Sequence, residues 1–228
     1  MSALAELYYR SGVSVTGSDT TETFYTDQVL KEVGIPYAEG FDPENIPEAC
    51  DLLVYSAAYD PQTHPEIVAA RDRGIPIMVY TEALGRYSRG RVSVGVSGVH
   101  GKTTTTAIAG TLVDSLGLQA SVLAGSAVTD FGGTSVLFRG EDFFLAETCE
   151  YRRHFLDFDP SIVVVTNVEA DHLDYFRDGE DVELAFLEYL RKLPHDGTVI
   201  YCAEDSGALS VAERIAAERD DLHLFGYR

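Results

Sequence analysis

The twelve residues GVSGVHGKTTTT, Gly95 to Thr106, decide how the chain is read. They follow the apolar run VSVGVSG and lead into a segment, Thr103–Ser115, that reads as a helix. A strand, a tight turn and a helix are therefore expected in that order. Gly95, Gly98 and Gly101 let the backbone turn sharply and approach an anion closely. The first N–H groups of the helix and its positive dipole end then face that anion. Lys102 is placed to reach the β- and γ-phosphates of a nucleotide, and the Thr103 hydroxyl to bind Mg²⁺. The common spacing G-x-x-x-x-G-K-[ST] would put a glycine at position 96, where Val96 stands. Gly98 moves the tight turn nearer the lysine, so a variant class of loop is expected. A glycine-rich turn with a solvated lysine is the plainer alternative, and G-K-T-T between a strand and a helix argues against it.

Outward from the loop, short apolar runs alternate with amphipathic stretches, the pattern of an α/β protein with a parallel sheet. Ahead of it, VSVTGSD, IPYAEG, LLVYSAA and IPIMVY read as strands, with helices around Thr26–Val33 and Pro65–Arg73. The polar, basic stretch GRYSRGR, Gly85–Arg91, interrupts the pattern and is the expected domain boundary, giving domains 1–87 and 91–228. After the loop, DFFLAE, SIVVVTN and GTVIYCAE read as buried strands, and Val182–Lys192 and Ser206–Arg219 as helices. The chain opens on an apolar-rich helix, MSALAELYYRSG, without the glycine-marked first strand of a doubly wound half. It closes on the strand DLHLFGYR. Both ends look cut. The expected fold class is α/β: a Rossmann-like N-terminal domain lacking its first strand, then a P-loop-type α/β ATPase domain truncated at its C-terminus.

With 228 residues and 45% hydrophobic content, the chain is long enough for one large or two small domains with a real core. A formal charge of −20 argues against nucleic acid or an anionic membrane surface as partner. No apolar run approaches the ~20 residues of a membrane span. Cys50, Cys149 and Cys202 are scattered and odd in number, which fits a reduced, cytoplasmic protein better than a disulfide framework.

Two further segments carry chemistry. In FLAETCEYRRHFL, Glu147 ends an apolar strand, where ligands bind in open α/β sheets, and a carboxylate there suits a hard Mg²⁺ ion. Glu150 is a weaker candidate for the same role or a loop charge. In SIVVVTNVEADHLDYF, a buried strand ends at Asn167 and a polar turn brings Asp171 and His172, with Asp171 placed to orient the His172 ring. His64, His100, His154, His195 and His223 have no zinc spacing. Cys149 lies beside two glutamates that disfavour its thiolate and reads as structural. Ser18 and Asp19 close the VSVTG strand, where an acid can bond a ribose hydroxyl. Ser56 holds a comparable place, although Ser-Asp is also an ordinary cap or turn pair.

Taken together, GVHGKTTTT, AETCEYRRHFL, TNVEADHLDYF and MSALAELYYRSGVSVTGSD resemble the Mur ligase family over nearly the whole chain. The resemblance implies an ATP-dependent ligase that joins L-alanine to the lactyl carboxylate of UDP-N-acetylmuramate through an acyl phosphate, for peptidoglycan precursor synthesis. Family members have a UDP-substrate domain, a central ATPase domain and a C-terminal domain for the amino acid. Carried over by position, Gly98, Val99, His100, Gly101, Lys102, Thr103 and Thr104 would form the ATP phosphate loop. Lys102, Glu147 and His172 would be catalytic, and Thr103, Glu147 and His172 would hold Mg²⁺. Ser18, Asp19 and Ser56 would line the uridine nucleotide. Some members carry a lysine in the helix after the histidine motif, where Glu183 stands, so a modified-lysine metal bridge is not expected. Alternatives are a sister ligase that attaches a preformed peptide to the same sugar nucleotide, a generic phosphoryl-transfer enzyme, and a non-catalytic nucleotide-binding remnant.

Overall fold

Leu4 and Leu7 lie on one face of the opening segment, and burying them holds it as α1, Ser2–Arg10. The computed structural model that places it describes every residue except Thr23. The chain falls into two units, Met1–Tyr87 and Ser88–Arg228.

In the first unit α1 is followed by β1 (Gly17–Asp19), α2 (Tyr25–Val33) and β2 (Tyr37–Glu39). Then come β3 (Leu53–Tyr55), α3 (Pro65–Asp72), β4 (Ile77–Val79) and α4 (Tyr80–Ser88). The four expected strands are present but only three residues long. They pair two by two in parallel, β1 with β2 and β3 with β4, as separate sheets. Gly34, left-handed at φ 88°, stops α2 and turns the chain into β2. The polar stretch read as a domain boundary is in large part helix, because α4 runs to Ser88 and buries Ala83, Leu84 and Tyr87.

The second unit is built on one seven-stranded sheet. Its elements are β5 (Val92–Ser97), α5 (Lys102–Ser115), β6 (Ala120–Val128), β7 (Thr134–Phe138), β8 (Phe143–Glu147) and β9 (Ile162–Val165). They are followed by α6 (Gly179–Leu190), β10 (Thr198–Cys202), α7 (Ser206–Glu218) and β11 (His223–Tyr227). The strand order is β11-β10-β9-β5-β8-β6-β7, parallel throughout except for β7 against β6. Strands covered on both faces read as unbroken apolar runs, as IVVV of β9 does. Val96, Val122, Ala124, Phe131, Leu137 and Leu145 make a continuous buried cluster. The hairpin of β6 and β7 was not expected from the sequence. Its turn is carried by Gly132 and Gly133, both left-handed.

This order places β5 at the middle of the sheet, between β8 and β9. The chain leaves β5 toward β6 on one side and returns through β8, then crosses to β9 on the other. Crevices outside the carboxyl ends of strands at such a switch are where open α/β sheets bind ligands. The three segments that follow β5, β8 and β9 meet there.

Candidate phosphate-binding site

Register brings those segments together. Val96 of β5 lies opposite Glu147 of β8 and Val164 of β9, and Ser97 lies opposite Val165. Past the strand ends the pairing continues, with Thr148 N–H donating to Val96 O at 2.9 Å and Thr166 N–H to Ser97 O at 2.9 Å. Val96 is fully buried inside the strand, so the turn begins only at Gly98.

Gly98 has φ 137° and Gly101 has φ 79°, conformations that favour glycine. A Cβ on Gly98 would overlap Thr166 Oγ1 and stand 3.0 Å from both N and O of Asn167. The loop is thus moulded against the segment after β9. The Thr166 hydroxyl donates to His100 O at 2.6 Å, and Asn167 Oδ1 accepts from His100 N at 2.9 Å. Thr166 and Asn167 were not singled out as bracing residues from the sequence, where Asn167 marked only a strand end. The strand itself stops at Val165.

Lys102 begins α5 and folds back over the loop. Its Nζ donates to Gly98 O, to Val99 O at 3.4 Å, and to both carboxylate oxygens of Glu150 at 3.1 and 3.3 Å. Glu150 is only 1% exposed. It is therefore the buried counterion of the loop lysine, a firmer place than the loop charge the sequence suggested. The Thr103 hydroxyl donates to Glu147 Oε2 at 3.2 Å, and Gly125 N–H donates to Glu147 Oε1. A side chain at Gly125 would meet Glu147 Oε2 at 2.5 Å, so glycine is needed there for the carboxylate to lie against β6. Thr104 follows within the first turn of α5.

His172 sits across from Glu150 rather than Glu147, with Nε2 3.4 Å from Glu150 Oε1. Asp171 does not orient its ring. The Asp171 carboxylate accepts from the backbone N–H of His172 at 2.6 Å, holding that residue in a left-handed turn at φ 53°. The ring packs instead on Tyr151, centroids 4.7 Å apart. Thr103 and Glu147 thus form one pair, and Lys102, Glu150 and His172 form a second group. Among the described residues no set of three or more His, Cys, Asp or Glu is arranged to hold a metal ion. The Cys149 thiol is pushed up, first by desolvation and then by the Glu150 charge.

Behind the site, Gly95 accommodates Tyr189 of α6, whose hydroxyl would collide with any Cβ there. That hydroxyl donates to Thr148 Oγ1 at 3.3 Å, and burial pushes the phenol far up. Glu183, at the position where some relatives carry lysine, is taken up by Ser210 and Arg214 of α7 at 2.9 Å each.

In the first unit, Ser18, Asp19 and Ser56 all line one cavity of about 390 Å³. Ser18 Oγ donates to Glu66 Oε1 at 2.7 Å, and the same oxygen accepts from Asn45 Nδ2 at 2.9 Å and Asp42 N at 3.2 Å. Glu66 is a buried carboxylate at the start of α3 that the sequence did not single out. Phe41, Tyr59 and His64 form an aromatic wall of the cavity, with ring centroids 4.6–5.1 Å apart.

Comparison with known proteins covers both units. The model of the Mur ligase family catalytic domain matches residues 1–91, and that of the Mur ligase middle domain matches residues 96–228. The UDP-N-acetylmuramate–L-alanine ligase of Treponema pallidum is 47% identical over 227 residues, covering 100% of this chain and 47% of that protein. The enzyme of the same name from Borrelia garinii is 40% identical over 99% of the chain and 48% of its own length. The chain therefore spans about half the length of the curated relatives it matches. Among solved structures, a UDP-N-acetylmuramate–alanine ligase from Thermotoga maritima superposes with a TM-score of 0.77 at 25% identity, over 100% of this chain and 50% of that one. A UDP-N-acetylmuramate:L-alanyl-γ-D-glutamyl-meso-diaminopimelate ligase from Neisseria shares the fold with a TM-score of 0.80 at 23% identity, over 99% of this chain and 74% of that one. With the glycine-turned loop, its lysine and both units accounted for, the chain belongs to the Mur ligase family.

Proposed function

We propose that this chain supplies the sugar-nucleotide and ATP-handling parts of a ligase that joins L-alanine to the carboxylate of UDP-N-acetylmuramate. The observation that carries the reading is the 47% identity to an alanine ligase across both units. In it, residues 1–87 form the Rossmann-like unit that takes the uridine nucleotide in the cavity of Ser18, Asp19 and Ser56. Residues 91–228 form the P-loop-type ATPase unit. The place of action is the cytoplasm; among the described residues no helix is long and apolar enough to cross a membrane.

A carboxylate is a poor electrophile, so its oxygen first attacks the γ-phosphorus of ATP and ADP departs. The amine of L-alanine then attacks the acyl carbon, phosphate leaves, and the amine proton passes to solvent. Lys102 would exchange its loop carbonyls and Glu150 for phosphate oxygens, offsetting charge on the transferring group. The N–H groups of Gly101, Lys102 and Thr103 would cradle the phosphates. The hydroxyl of Thr103 and the carboxylate of Glu147, 3.2 Å apart, are hard oxygen donors that fit Mg²⁺. His172, poised on Glu150, completes the proposed set. When bound, the ion would supply further charge neutralisation at the phosphoryl oxygens.

The test is phosphate release from ATP by the protein that carries this chain, with UDP-N-acetylmuramate and either L-alanine or a preformed tripeptide. Release that depends on L-alanine supports the reading. Dependence on the tripeptide alone would assign the sister ligase, and sugar-nucleotide binding with no acceptor-dependent release would assign a non-catalytic binding protein.

A further inference from the structure

The chain carries 37 acidic and 17 basic residues, so its arginines have carboxylates to hand. In Ser88–Arg228 eight of them take one, from Arg89 on Asp159 to Arg219 on Asp221. Among the described residues Arg152 does not. Arg152 is exposed and lies over the Tyr151 ring, with Cζ 5.4 Å from the centroid.

Its backbone is equally unusual. Arg152 (φ 51°, ψ 22°) and Arg153 (φ 59°, ψ 28°) are consecutive left-handed residues. Side chains other than glycine visit that region singly and at a cost. Strain of this kind gathers at binding and catalytic sites, where the surrounding structure holds it in place. Arg153 provides the holding here, clamped to Asp181 at 3.2 Å and to Glu188 on α6. Arg152 is left facing outward at the end of the turn after β8.

The Tyr151 platform ties it to the phosphate loop. The Tyr151 hydroxyl donates to Asp174 Oδ2 at 2.9 Å, which fixes the ring. The ring lies 4.7 Å from His172, His172 meets Glu150, and Glu150 meets Lys102 at 3.1 Å. The guanidinium is therefore two ring contacts from the imidazole, on the same strand-end edge as the loop lysine. A guanidinium over an aromatic face keeps its planar edge of N–H donors free, the edge that matches phosphate oxygens.

We propose that Arg152 binds the terminal phosphoryl group of the polyphosphate seated on the loop. This rests on the reading of Gly98–Thr104 as a polyphosphate site. The probes are inorganic tripolyphosphate and pyrophosphate, titrated calorimetrically into the whole chain with chelator present, so that only protein contacts are read. Arg152→Gly is expected to bind tripolyphosphate about tenfold more weakly, equivalent to about 1.4 kcal/mol, while pyrophosphate affinity stays within about twofold. Arg152→Lys is expected to recover part of the loss, because it keeps the charge without the planar fork. The glycine variant should also melt higher than wild type, since glycine accepts φ near 50° freely, so lost binding cannot be blamed on misfolding. Unchanged tripolyphosphate affinity would overturn the proposal. Equal weakening for both probes would do the same, because that is the mark of a general charge effect. Failure of the wild-type chain to bind either probe would overturn the polyphosphate reading of the loop, and this proposal with it.

Discussion

Replacing Gly98 by alanine tests whether the loop owes its shape to the neighbouring strand end. At φ 137° a Cβ is strained whatever the space around it. Here it would also overlap Thr166 Oγ1 and press on the N and O of Asn167 at 3.0 Å. Backbone strain of this kind costs about 1–3 kcal/mol. Relief requires Thr166 to swing away, giving up its bond to His100 O at 2.6 Å and its contact with Ser97 O at 3.2 Å, worth about 1 kcal/mol more. Gly98→Ala is thus expected to destabilise the second unit by about 2–4 kcal/mol, read by urea unfolding followed by circular dichroism. Thr166→Ala should cost about 1 kcal/mol by itself. In the Thr166→Ala background the penalty of Gly98→Ala should shrink by about 1 kcal/mol, because the nearest obstruction is gone while the backbone contacts with Asn167 remain. A Gly98→Ala chain within about 0.5 kcal/mol of wild type would refute the reasoning, as would equal penalties in the two backgrounds.

Lys102→Met should cost about 2–4 kcal/mol by stranding the buried Glu150 carboxylate. The pair Lys102→Met with Glu150→Gln should regain most of that stability in denaturant melts without regaining tripolyphosphate binding. Asp205 caps α7 through Ala208 N at 2.7 Å and also accepts from Val168 N at 3.0 Å. Asp205→Ala should cost about 1–2 kcal/mol and speed amide exchange at both positions; unchanged exchange at Val168 would remove the link between α7 and the loop after β9. Asp221 is held down to about 2 chiefly by its hydrogen bond from Arg219. A depressed carboxylate contributes stability that is fully present above its unfolded pKa, about 3.9, and is lost as pH falls through the folded value. Thermal melts should therefore show wild type losing its margin over Asp221→Asn between about pH 4 and 2, and a constant margin there would contradict the assignment.

Much of the second unit was legible because its inner strands are written as near-continuous apolar runs. DFFLAE, SIVVVTN and GTVIYCAE are near-continuous apolar runs, and the structure makes β8, β9 and β10 of them. The hairpin of β6 and β7 was missed because ASVLAGSAV dilutes its apolar residues with alanine, glycine and serine. The available signal was Gly132-Gly133 between two strand-like runs, where both residues adopt positive φ. Helix α4 was missed for a different reason. Its last turn is polar and basic, and that end was read as a connector, although Ala83, Leu84 and Tyr87 have helical spacing and are buried. In the first unit the runs were found, but periodicity says nothing of partners, and four three-residue strands closed into two separate pairs.

The site divides along the same line. Lys102 and Thr103 follow from a local motif, and Glu147 from standing at the end of an apolar run. The partners of these residues are long-range and come only with the sheet register. Glu150 reaches Lys102 because the chain turns tightly after β8, a turn built on two left-handed arginines that no propensity would place there. Asp171, adjacent to His172, looked like the group that orients its ring, yet a neighbour in sequence is better placed for the backbone N–H, and that is what it binds. The departure from the usual loop spacing has its account here as well. Val96 cannot start the turn because it is a buried residue of the central strand, paired on both sides. The loop is accordingly short, and a short loop supplies few hydrogen bonds of its own. Thr166 and Asn167 make up the difference from the segment after β9, at the positions where Gly98 leaves room for them. The glycine that matters is thus the one facing the neighbouring strand end, and its place follows from the sheet order rather than from its distance to the lysine.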